Sequence, residues 1–248
     1  MWNDFMKKHL SLSLVCSFAL FLSFSCAPSK PTAREAAIQK AKAWYDLRID
    51  AFHKENDSLK SAESVRTHFV FLGDSFTERL DVRAAFPGMP VLNRGITSDH
   101  IVWDETRGVT HRLTPELLAA HPSHIVLLIG VNDLGDDNSP ERITFLIGQY
   151  KQILESLRTT YPDAMVCVCT LVPTGGKYAR LNESIRAFNT HLKKLAETTK
   201  TPLIDLYPLY SDSTGALRSE LTTDGLHIIP AACEPWIEQV RRFLAGSK

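Results

Sequence analysis

The sequence carries no excess of charge of either sign. Over 248 residues, 28 lysines and arginines balance 28 aspartates and glutamates, so the formal net charge is zero. A nucleic-acid partner normally requires a basic surface, and none is expected here. Internal repeats and low-complexity tracts are also lacking. A chain of this length can build one α/β domain but not two large ones.

Long apolar runs are missing as well. The apolar stretch at residues 10–24 is shorter than the roughly 20 residues that a transmembrane helix needs. It follows Lys7 and Lys8 and precedes Cys26, as in an exported bacterial lipoprotein, although Ser23 stands where a lipobox would have Leu. We predict a signal peptide at 1–25 and a lipid on Cys26. The protein would then be a cell-envelope lipoprotein, held on the periplasmic or outer-membrane face through that lipid alone. A plain cleaved signal peptide with secretion is the main alternative, and a retained membrane anchor is the minor one.

Cysteine is scarce, with five in the chain, of which only Cys167, Cys169 and Cys233 follow Cys26. Cys167 and Cys169 lie on one face of a predicted strand, where a disulfide between them would be strained. We therefore predict buried free thiols. No histidine or second cysteine pair has zinc-like spacing, so the sequence predicts no metal site and no cofactor.

What is present is a regular alternation of short apolar runs and longer amphipathic segments. The strand-like runs are His68–Leu72, Pro90–Leu92, His124–Ile129, Ala164–Thr170 and Leu203–Leu206. The helix-like segments are 77–84, 97–107 with 115–120, 140–159, 179–199 and 230–245. This pattern predicts a three-layer α/β/α domain over 63–248, with a five-stranded parallel flavodoxin-like sheet. Residues 26–62 are predicted to form a tether and an N-terminal helix, Ala33–Lys60, that packs against the domain.

Polar residues follow four of these elements. The segments are Gly73-Asp74-Ser75, Asn93-Arg94-Gly95, Gly130-Val131-Asn132 and Asp224-Gly225-Leu226-His227. Because the carboxyl ends of parallel strands meet at one edge of the sheet, we expect these segments to converge there.

The converging residues fit acyl transfer. Ser75 can act as the nucleophile, His227 as its base, and Asp224 as the group that orients the imidazole. An oxyanion needs fixed donors, which Asn132 can supply from its amide and Gly95 from its N–H, since glycine has no side chain to keep substrate away.

These segments, in this order, resemble the conserved blocks of the SGNH/GDSL hydrolase family. The resemblance spans roughly 68 to 245 and is greatest to the branch with the platelet-activating-factor acetylhydrolase-like subunits and bacterial carbohydrate acetylesterases. It implies a catalytic Ser75 with Asp224 and His227, and oxyanion donors at the N–H groups of Ser75 and Gly95 and the side chain of Asn132. The chain departs from the family at Ser98, where many relatives have a second glycine, and at Ala232-Cys233, where Gly-Tyr is common.

Several neighbours of these blocks have open roles. Asp74 is expected to be a structural acceptor beneath the nucleophile, and Asp133 a carboxylate that orders a loop. Arg94 and Asp99 either line the pocket or are structural. The loop at 174–178 either touches substrate or only connects two elements.

The function that we predict is hydrolysis of a short acyl ester, most simply an acetyl ester on a carbohydrate, with no partner beyond that small-molecule or glycan substrate. A lysophospholipase or thioesterase is the first alternative and would require a long apolar channel beside Ser75. Acyl transfer to a polysaccharide is the second, in which a sugar hydroxyl replaces water. A binding protein without catalysis would leave p-nitrophenyl acetate intact.

Overall fold

The computed structural model describes residues 30–61, 68–119 and 121–246. The predicted signal peptide at 1–25 and the predicted lipid site at Cys26 lie outside the described residues. Within these residues, no helix is both long enough and apolar enough to cross a membrane.

Five parallel strands form the central sheet. They are β1 (His68–Gly73), β2 (Val91–Gly95), β3 (Pro122–Leu128), β4 (Met165–Cys169) and β5 (Leu203–Ile204). Their order is β2-β1-β3-β4-β5. This confirms the predicted flavodoxin-like sheet, whose strand order reverses between β1 and β3.

The central strands are buried on both faces, as expected for a parallel sheet between helices. Residues 70–73 of β1 and 125–128 of β3 are buried without interruption. Gly73, the last residue of β1, pairs in register with Gly95 of β2 and with Leu128 of β3. The loops that follow these three strands therefore begin at the same level of one edge.

Eight helices surround the sheet in the described part of the chain: α1 (Ala33–Ser61), α2 (Ser75–Glu78), α3 (Val82–Ala85), α4 (Val131–Asp136), α5 (Pro140–Thr160), α6 (Asn182–Thr198), α7 (Tyr207–Tyr210) and α8 (Glu234–Gly246). The start of α5 follows its sequence signals. Ser139 accepts a hydrogen bond from the Arg142 N–H at 3.2 Å, and Pro140 occupies the first turn.

The helices cover both faces of the sheet and confirm the three-layer fold. From α8, Trp236 packs edge-on against Phe71 of β1, with ring centroids 6.5 Å apart. Between α5 and α6, Tyr150 meets Phe188 at 6.2 Å. The predicted free thiols are also confirmed: Cys167 and Cys169 are unpaired and buried.

Two predicted helices were wrong. The segment 77–84 divides into α2 and α3, because Asp81 caps α3 by accepting from the Ala84 N–H at 3.0 Å. The segment 97–107 with 115–120 is also not a helix: 97–107 is irregular, and 115–117 form only a turn. Ser98 has φ +65°, outside the helical region, and the Ile101 N–H donates to Asp133 Oδ2 at 2.9 Å rather than to a helical carbonyl.

The N-terminal helix α1 packs against the domain, as predicted. Its Tyr45 and Phe52 form a buried apolar cluster with Ile96, the residue after the end of β2. Tyr45 also donates from its hydroxyl to the Gly108 carbonyl at 3.2 Å. Because this cluster lies beside the edge where β1, β2 and β3 end, α1 borders the candidate site.

Candidate active site

Ser75 lies at the first turn of α2, directly after β1. Asp74 caps this helix by accepting from the Phe76 N–H at 3.0 Å. The N–H groups in the first turn of a helix have no carbonyl partner within the helix. The Ser75 N–H is therefore available to a negatively charged oxygen, and its hydroxyl stands at the carboxyl end of the sheet.

Ser75, His227 and Asp224 form a continuous chain of hydrogen bonds. Ser75 Oγ lies 2.9 Å from His227 Nε2, and His227 Nδ1 lies 2.7 Å from Asp224 Oδ2. The other carboxylate oxygen of Asp224 accepts from the backbone N–H groups of Leu226 at 2.9 Å and His227 at 2.8 Å. This arrangement fixes the ring so that Nε2 faces the serine.

The Asp224 carboxylate is held in its charged form. Partial burial acts to raise its pKa, but the hydrogen bonds from the His227 ring and from two backbone N–H groups outweigh burial. They hold the pKa of Asp224 well below its usual range. Asp224 is therefore ionised throughout the neutral range and keeps the proton of the imidazole on Nδ1.

A close backbone contact holds the loop that carries His227. The Gly175 N–H donates to the Gly225 carbonyl at 2.7 Å, and Gly225 has φ +79°. A Cβ at Gly225 would lie 2.5 Å from the Gly175 carbonyl oxygen, so only glycine fits there. The loop at 174–178 thus supports the triad, and its Tyr178 also lines the cavity described below.

Asn132 follows β3 at the start of α4. Its Nδ2 donates one hydrogen bond to the Asp99 carbonyl at 2.8 Å, which fixes the plane of the amide. The second hydrogen on Nδ2 remains for a substrate oxygen. This is the geometry expected of an oxyanion donor that is oriented before the substrate arrives.

Gly95 does not fit the predicted role of oxyanion donor. Its N–H donates to Asn93 Oδ1 at 2.9 Å. A Cβ at Gly95 would lie 2.1 Å from the Glu78 backbone nitrogen, so glycine is needed here for close packing of α2 on β2. The structure favours Ser98, which lines the same cavity as Asn132 and whose N–H donates no hydrogen bond among the described residues.

The sequence offered one signal for Ser98. The family that the sequence resembles commonly has a glycine at this position, and Ser98 adopts φ +65°, a conformation that glycine reaches without strain. The departure from the family pattern thus lies at a turn whose backbone conformation suits glycine.

Sequence reasoning missed Arg112 altogether. This buried side chain donates to Asp99 Oδ2 at 2.6 and 2.9 Å, to the Gly73 carbonyl at 2.8 Å and to the Arg94 carbonyl at 2.6 Å. It therefore ties the ends of β1 and β2 to the turn that carries Ser98. Because Arg112 stands outside every motif, no pattern in the sequence predicted it.

Arg94 and Asp99 do not line the pocket. Both are fully buried. Arg94 donates to the Leu118 carbonyl at 2.8 Å and pairs with Glu55 and Asn56 of α1. Of the two predicted roles, pocket lining or structural support, both residues therefore have the structural one.

Asp74 and Asp133 are buried acceptors, as predicted. Asp74 receives the Phe76 N–H and Asp133 receives the Ile101 N–H. Burial raises the pKa of Asp74 to about 7 and that of Asp133 to about 8. For Asp133, Arg142 lies 3.6 Å from the second oxygen and offsets part of this effect.

Asp133 gives a prediction on stability and pH. An unfolded aspartate titrates at about 4, so between about pH 4 and 8 the folded state binds the additional proton. The contribution of Asp133 to the free energy of unfolding is therefore fully present below about pH 4 and is lost as the pH rises through about 8. Asp133→Asn should remove this loss, so thermal denaturation at pH 5 and pH 9 should show the variant gaining stability relative to wild type at the higher pH. An equal difference at both pH values would contradict the shifted pKa.

A cavity of about 380 Å³ opens beside Asn132. Its walls come from the turn at 97–100 that carries Ser98, named the oxyanion turn below, from the 174–181 loop, from Leu226 next to His227, and from α1. The aromatic and cationic members are His100, Trp103, Tyr178, Arg34 and Arg180. A second cavity of about 370 Å³ is lined by His227, Phe76 and Trp236. In the parts of the chain that the structure covers, no group of three His, Cys, Asp or Glu side chains could hold a metal ion.

Comparison with known proteins assigns this arrangement to a family. Residues 71–232 match the model of the GDSL-like lipase/acylhydrolase family. The match covers more than half of the chain and includes every member of the triad. The chain belongs to this family. Since the family consists of ester-hydrolysing enzymes, the chain is a carboxylic ester hydrolase.

Curated relatives of this GDSL-family chain include the platelet-activating factor acetylhydrolase IB subunit alpha2 of chicken (Gallus gallus), 27% identical over 203 residues, with 77% of this chain and 83% of the relative covered. The rat (Rattus norvegicus) subunit alpha2 is 26% identical over 187 residues, covering 71% and 76%. Both alignments extend over most of either chain.

Solved structures show the same fold. A GDSL-like lipase from Bacteroides thetaiotaomicron superposes with a TM-score of 0.65 at 17% identity, covering 79% of this chain and 98% of that one. An acetyl xylan esterase superposes with a TM-score of 0.55 at 19% identity, covering 71% and 98%. At these identities the likeness concerns the fold alone.

The fixed amide of Asn132 leads to a prediction on rate. Asn132→Ala should lower kcat by about 10²–10³ with little change in KM, because the donor is needed mainly when the oxyanion forms. The measurement is steady-state hydrolysis of p-nitrophenyl acetate. Asn138→Ala, an exposed position six residues further on, is the matched control and should behave as wild type. A rise in KM alone would make Asn132 a ground-state binder.

Proposed function

We propose that this GDSL-family enzyme removes a short acyl group, preferably acetyl, from a carbohydrate. The observation that carries the proposal is the hydrogen-bonded chain from Ser75 through His227 to Asp224, next to a cavity with aromatic and cationic walls. Two of the similar proteins are named for acetyl removal, one as an acetylhydrolase and one as an acetyl xylan esterase.

The reaction proceeds through an acyl-enzyme. Ser75 Oγ attacks the ester carbonyl carbon while His227 Nε2 takes the hydroxyl proton. The oxyanion receives hydrogen bonds from the Asn132 amide and from the N–H groups of Ser75 and Ser98. Its collapse breaks the bond to the alcohol, which leaves with the proton from His227. Water then repeats the sequence and releases the acid and free Ser75.

The composition of the cavity supports a sugar as the alcohol. The Tyr178 ring offers an apolar surface on which the C–H groups of a sugar can lie, and Trp103, which is stacked on His100 at 5.0 Å, adds apolar surface to the same wall. His100 and Arg180 offer donors for its hydroxyl groups. An acetyl group alone would leave most of a cavity of about 380 Å³ empty, so the larger alcohol part has room there.

The test is a substrate panel. It compares p-nitrophenyl acetate, butyrate and octanoate with acetylated xylo-oligosaccharides and an acetylated monosaccharide. We expect kcat/KM to fall as the acyl chain lengthens and acetylated sugars to be deacetylated. Tyr178→Leu should raise KM for the sugar esters and leave p-nitrophenyl acetate, which serves as the internal control, unchanged. A preference for octanoate with no action on acetylated sugars would refute the proposal.

One observation favours a lipid acylhydrolase as the second candidate. An apolar hollow of about 520 Å³ lies between α1 and the oxyanion turn, lined by Ala41, Trp44 and Leu47 of the helix and by Thr97 and Ser98. An acyl chain of several carbons would fit there. If this hollow binds the acyl chain, octanoate will be the best ester of the series, and Leu47→Ser will lower its kcat/KM without affecting acetate.

We further propose export and lipidation at Cys26, which the spacing from Lys7 and Lys8 through the apolar stretch to Cys26 supports. Several acyl chains are needed for stable anchoring, since one chain binds a membrane only marginally. Expressed in a bacterium, the full chain should partition with membranes, and Cys26→Ala should not be lipidated. Mass spectrometry of an unmodified mature N-terminus beyond Cys26 would leave ordinary secretion as the explanation.

A further inference from the structure

Glu78 joins three elements around the candidate site. It is the last residue of α2, three positions after Ser75. Its carboxylate accepts the Thr97 N–H from the oxyanion turn. It also accepts the Trp44 Nε1–H of α1, which lies 3.1 and 3.2 Å from the two carboxylate oxygens. The Glu78 side chain therefore joins α2, which carries Ser75, to the oxyanion turn and to α1.

Arg48 strengthens this junction from the next turn of α1. Its Nε lies 3.4 Å from Glu78 Oε1, and its guanidinium also donates to the Gly95 carbonyl at 3.4 Å. The guanidinium stacks 4.8 Å from the centre of the buried Phe52 ring, which limits its freedom. Only 14% of the Glu78 side chain is exposed, so these contacts are largely shielded from solvent.

The oxyanion turn needs such support. Ser98 holds φ +65°, which is strained for a residue with a side chain and persists only where the surroundings impose it. The Thr97 N–H that Glu78 binds lies one residue before the Ser98 N–H. Fixing the first N–H restricts the rotation of the turn that aims the second.

We propose that Glu78 is a positioning residue that aims the Ser98 N–H at the oxyanion, and that Trp44 and Arg48 of α1 hold Glu78 in place. The proposal rests on the role proposed above for the Ser98 N–H. Its consequence is that two residues of α1, a helix that precedes the 71–232 region matched by the family, help to position the oxyanion turn of this enzyme.

The experiment compares Glu78→Ala, Glu78→Gln and Trp44→Phe with wild type. Two readouts are used: kcat and KM for p-nitrophenyl acetate, and the inhibition constant of 2,2,2-trifluoroacetophenone, which forms a hemiketal oxyanion on the serine. Displacement of a catalytic group by about 1 Å can cost about 10²-fold, so we expect Glu78→Ala to lower kcat and weaken the inhibitor by about 10- to 100-fold with KM nearly unchanged. Glu78→Gln keeps an acceptor for Thr97 and should recover part of the loss. Trp44→Phe keeps an aromatic ring but removes the Nε1–H donor to Glu78. It should therefore lower kcat and weaken the inhibitor as well, by a smaller factor.

Asp46→Asn is the matched control. Asp46 lies on α1 between Trp44 and Arg48 but pairs with Arg107 at 2.9 Å, away from Glu78. It should leave both readouts unchanged even where it lowers the melting temperature. The proposal is overturned if the Glu78 and Trp44 variants keep kcat within about twofold of wild type, or if kcat falls while the inhibition constant stays the same, which indicates a purely structural role. In both of these outcomes the wild-type enzyme would still hydrolyse the ester through Ser75. The proposal for Glu78 can therefore fail while the esterase assignment holds.

Discussion

Replacing Ser75 with alanine is expected to lower kcat for p-nitrophenyl acetate by at least about 10⁴-fold, since loss of a triad nucleophile typically costs that much or more. The physical reason is that the alanine variant lacks the hydroxyl oxygen that attacks the ester. In the wild type this oxygen lies 2.9 Å from His227 Nε2, which accepts its proton. The fold should persist, because the cap on α2 comes from the Asp74 side chain and not from Ser75.

Ser213→Ala is the control for this variant. Ser213 is exposed in the turn before the short helical turn Ser219–Leu221 and lies outside the site. It should match wild type in kcat and in melting temperature. Retention of more than a tenth of wild-type turnover by Ser75→Ala would exclude Ser75 as the nucleophile.

The second large effect is expected for Asp224→Asn, with kcat lowered by about 10⁴-fold as in other triads. The asparagine amide would place N–H hydrogens against His227 Nδ1, 2.7 Å away in the wild type. The imidazole would then carry its proton on Nε2 and could not accept one from Ser75. Partial loss of the contacts to the Leu226 and His227 N–H groups would add to this effect.

Asp212→Asn is a suitable control, because Asp212 makes the same kind of local contact without a catalytic partner. Its Oδ1 accepts from the Thr214 N–H at 2.8 Å and the Ala216 N–H at 3.0 Å. Its kcat should equal that of wild type. If Asp224→Asn kept kcat within tenfold of wild type, the orientation of His227 would have to come from another group.

The sequence predicts most of the sheet and the triad for a local reason. Each strand is a short apolar run that ends at a glycine or polar segment, and parallel strands bring such ends together wherever they lie in the chain. Ser75 follows β1 and Asn132 follows β3 for that reason. His227 lies in a loop well beyond the end of β5, and the hydrogen bond between Gly175 and Gly225 holds that loop where His227 reaches Ser75. The cap at Ser139 was readable too, since capping depends on a few consecutive residues.

What the sequence could not predict depends on contacts between distant residues. The apolar spacing over 97–107 resembled a helix, but Asp133, more than 30 positions later, binds the backbone at Ile101 and holds the segment open. Arg112 acquires its role only when the ends of β1 and β2 lie beside it. Gly95 matched the expected pattern, yet its N–H faces Asn93, and the turn brings Ser98 to Asn132 instead.

The contacts of α1 with the site could not be predicted from the sequence for the same reason. Its helical character was predictable from composition and spacing. The pairing of Glu55 and Asn56 with the buried Arg94, and of Trp44 with Glu78, joins residues 34 to 39 positions apart in the sequence. Only the tertiary structure brings this helix to the active site.

The central claim is that Ser75 carries the acyl group during turnover, and the most direct measurement is mass spectrometry of the trapped acyl-enzyme. The enzyme is mixed with p-nitrophenyl acetate, quenched in acid within the first turnovers and digested for peptide mapping. The Asp224→Asn variant is run in parallel as a sample that acylates slowly. The account predicts one acetyl group per chain on the peptide that contains Ser75, and none in Ser75→Ala. Acetylation at another residue, or equal labelling of Ser75→Ala, would contradict it.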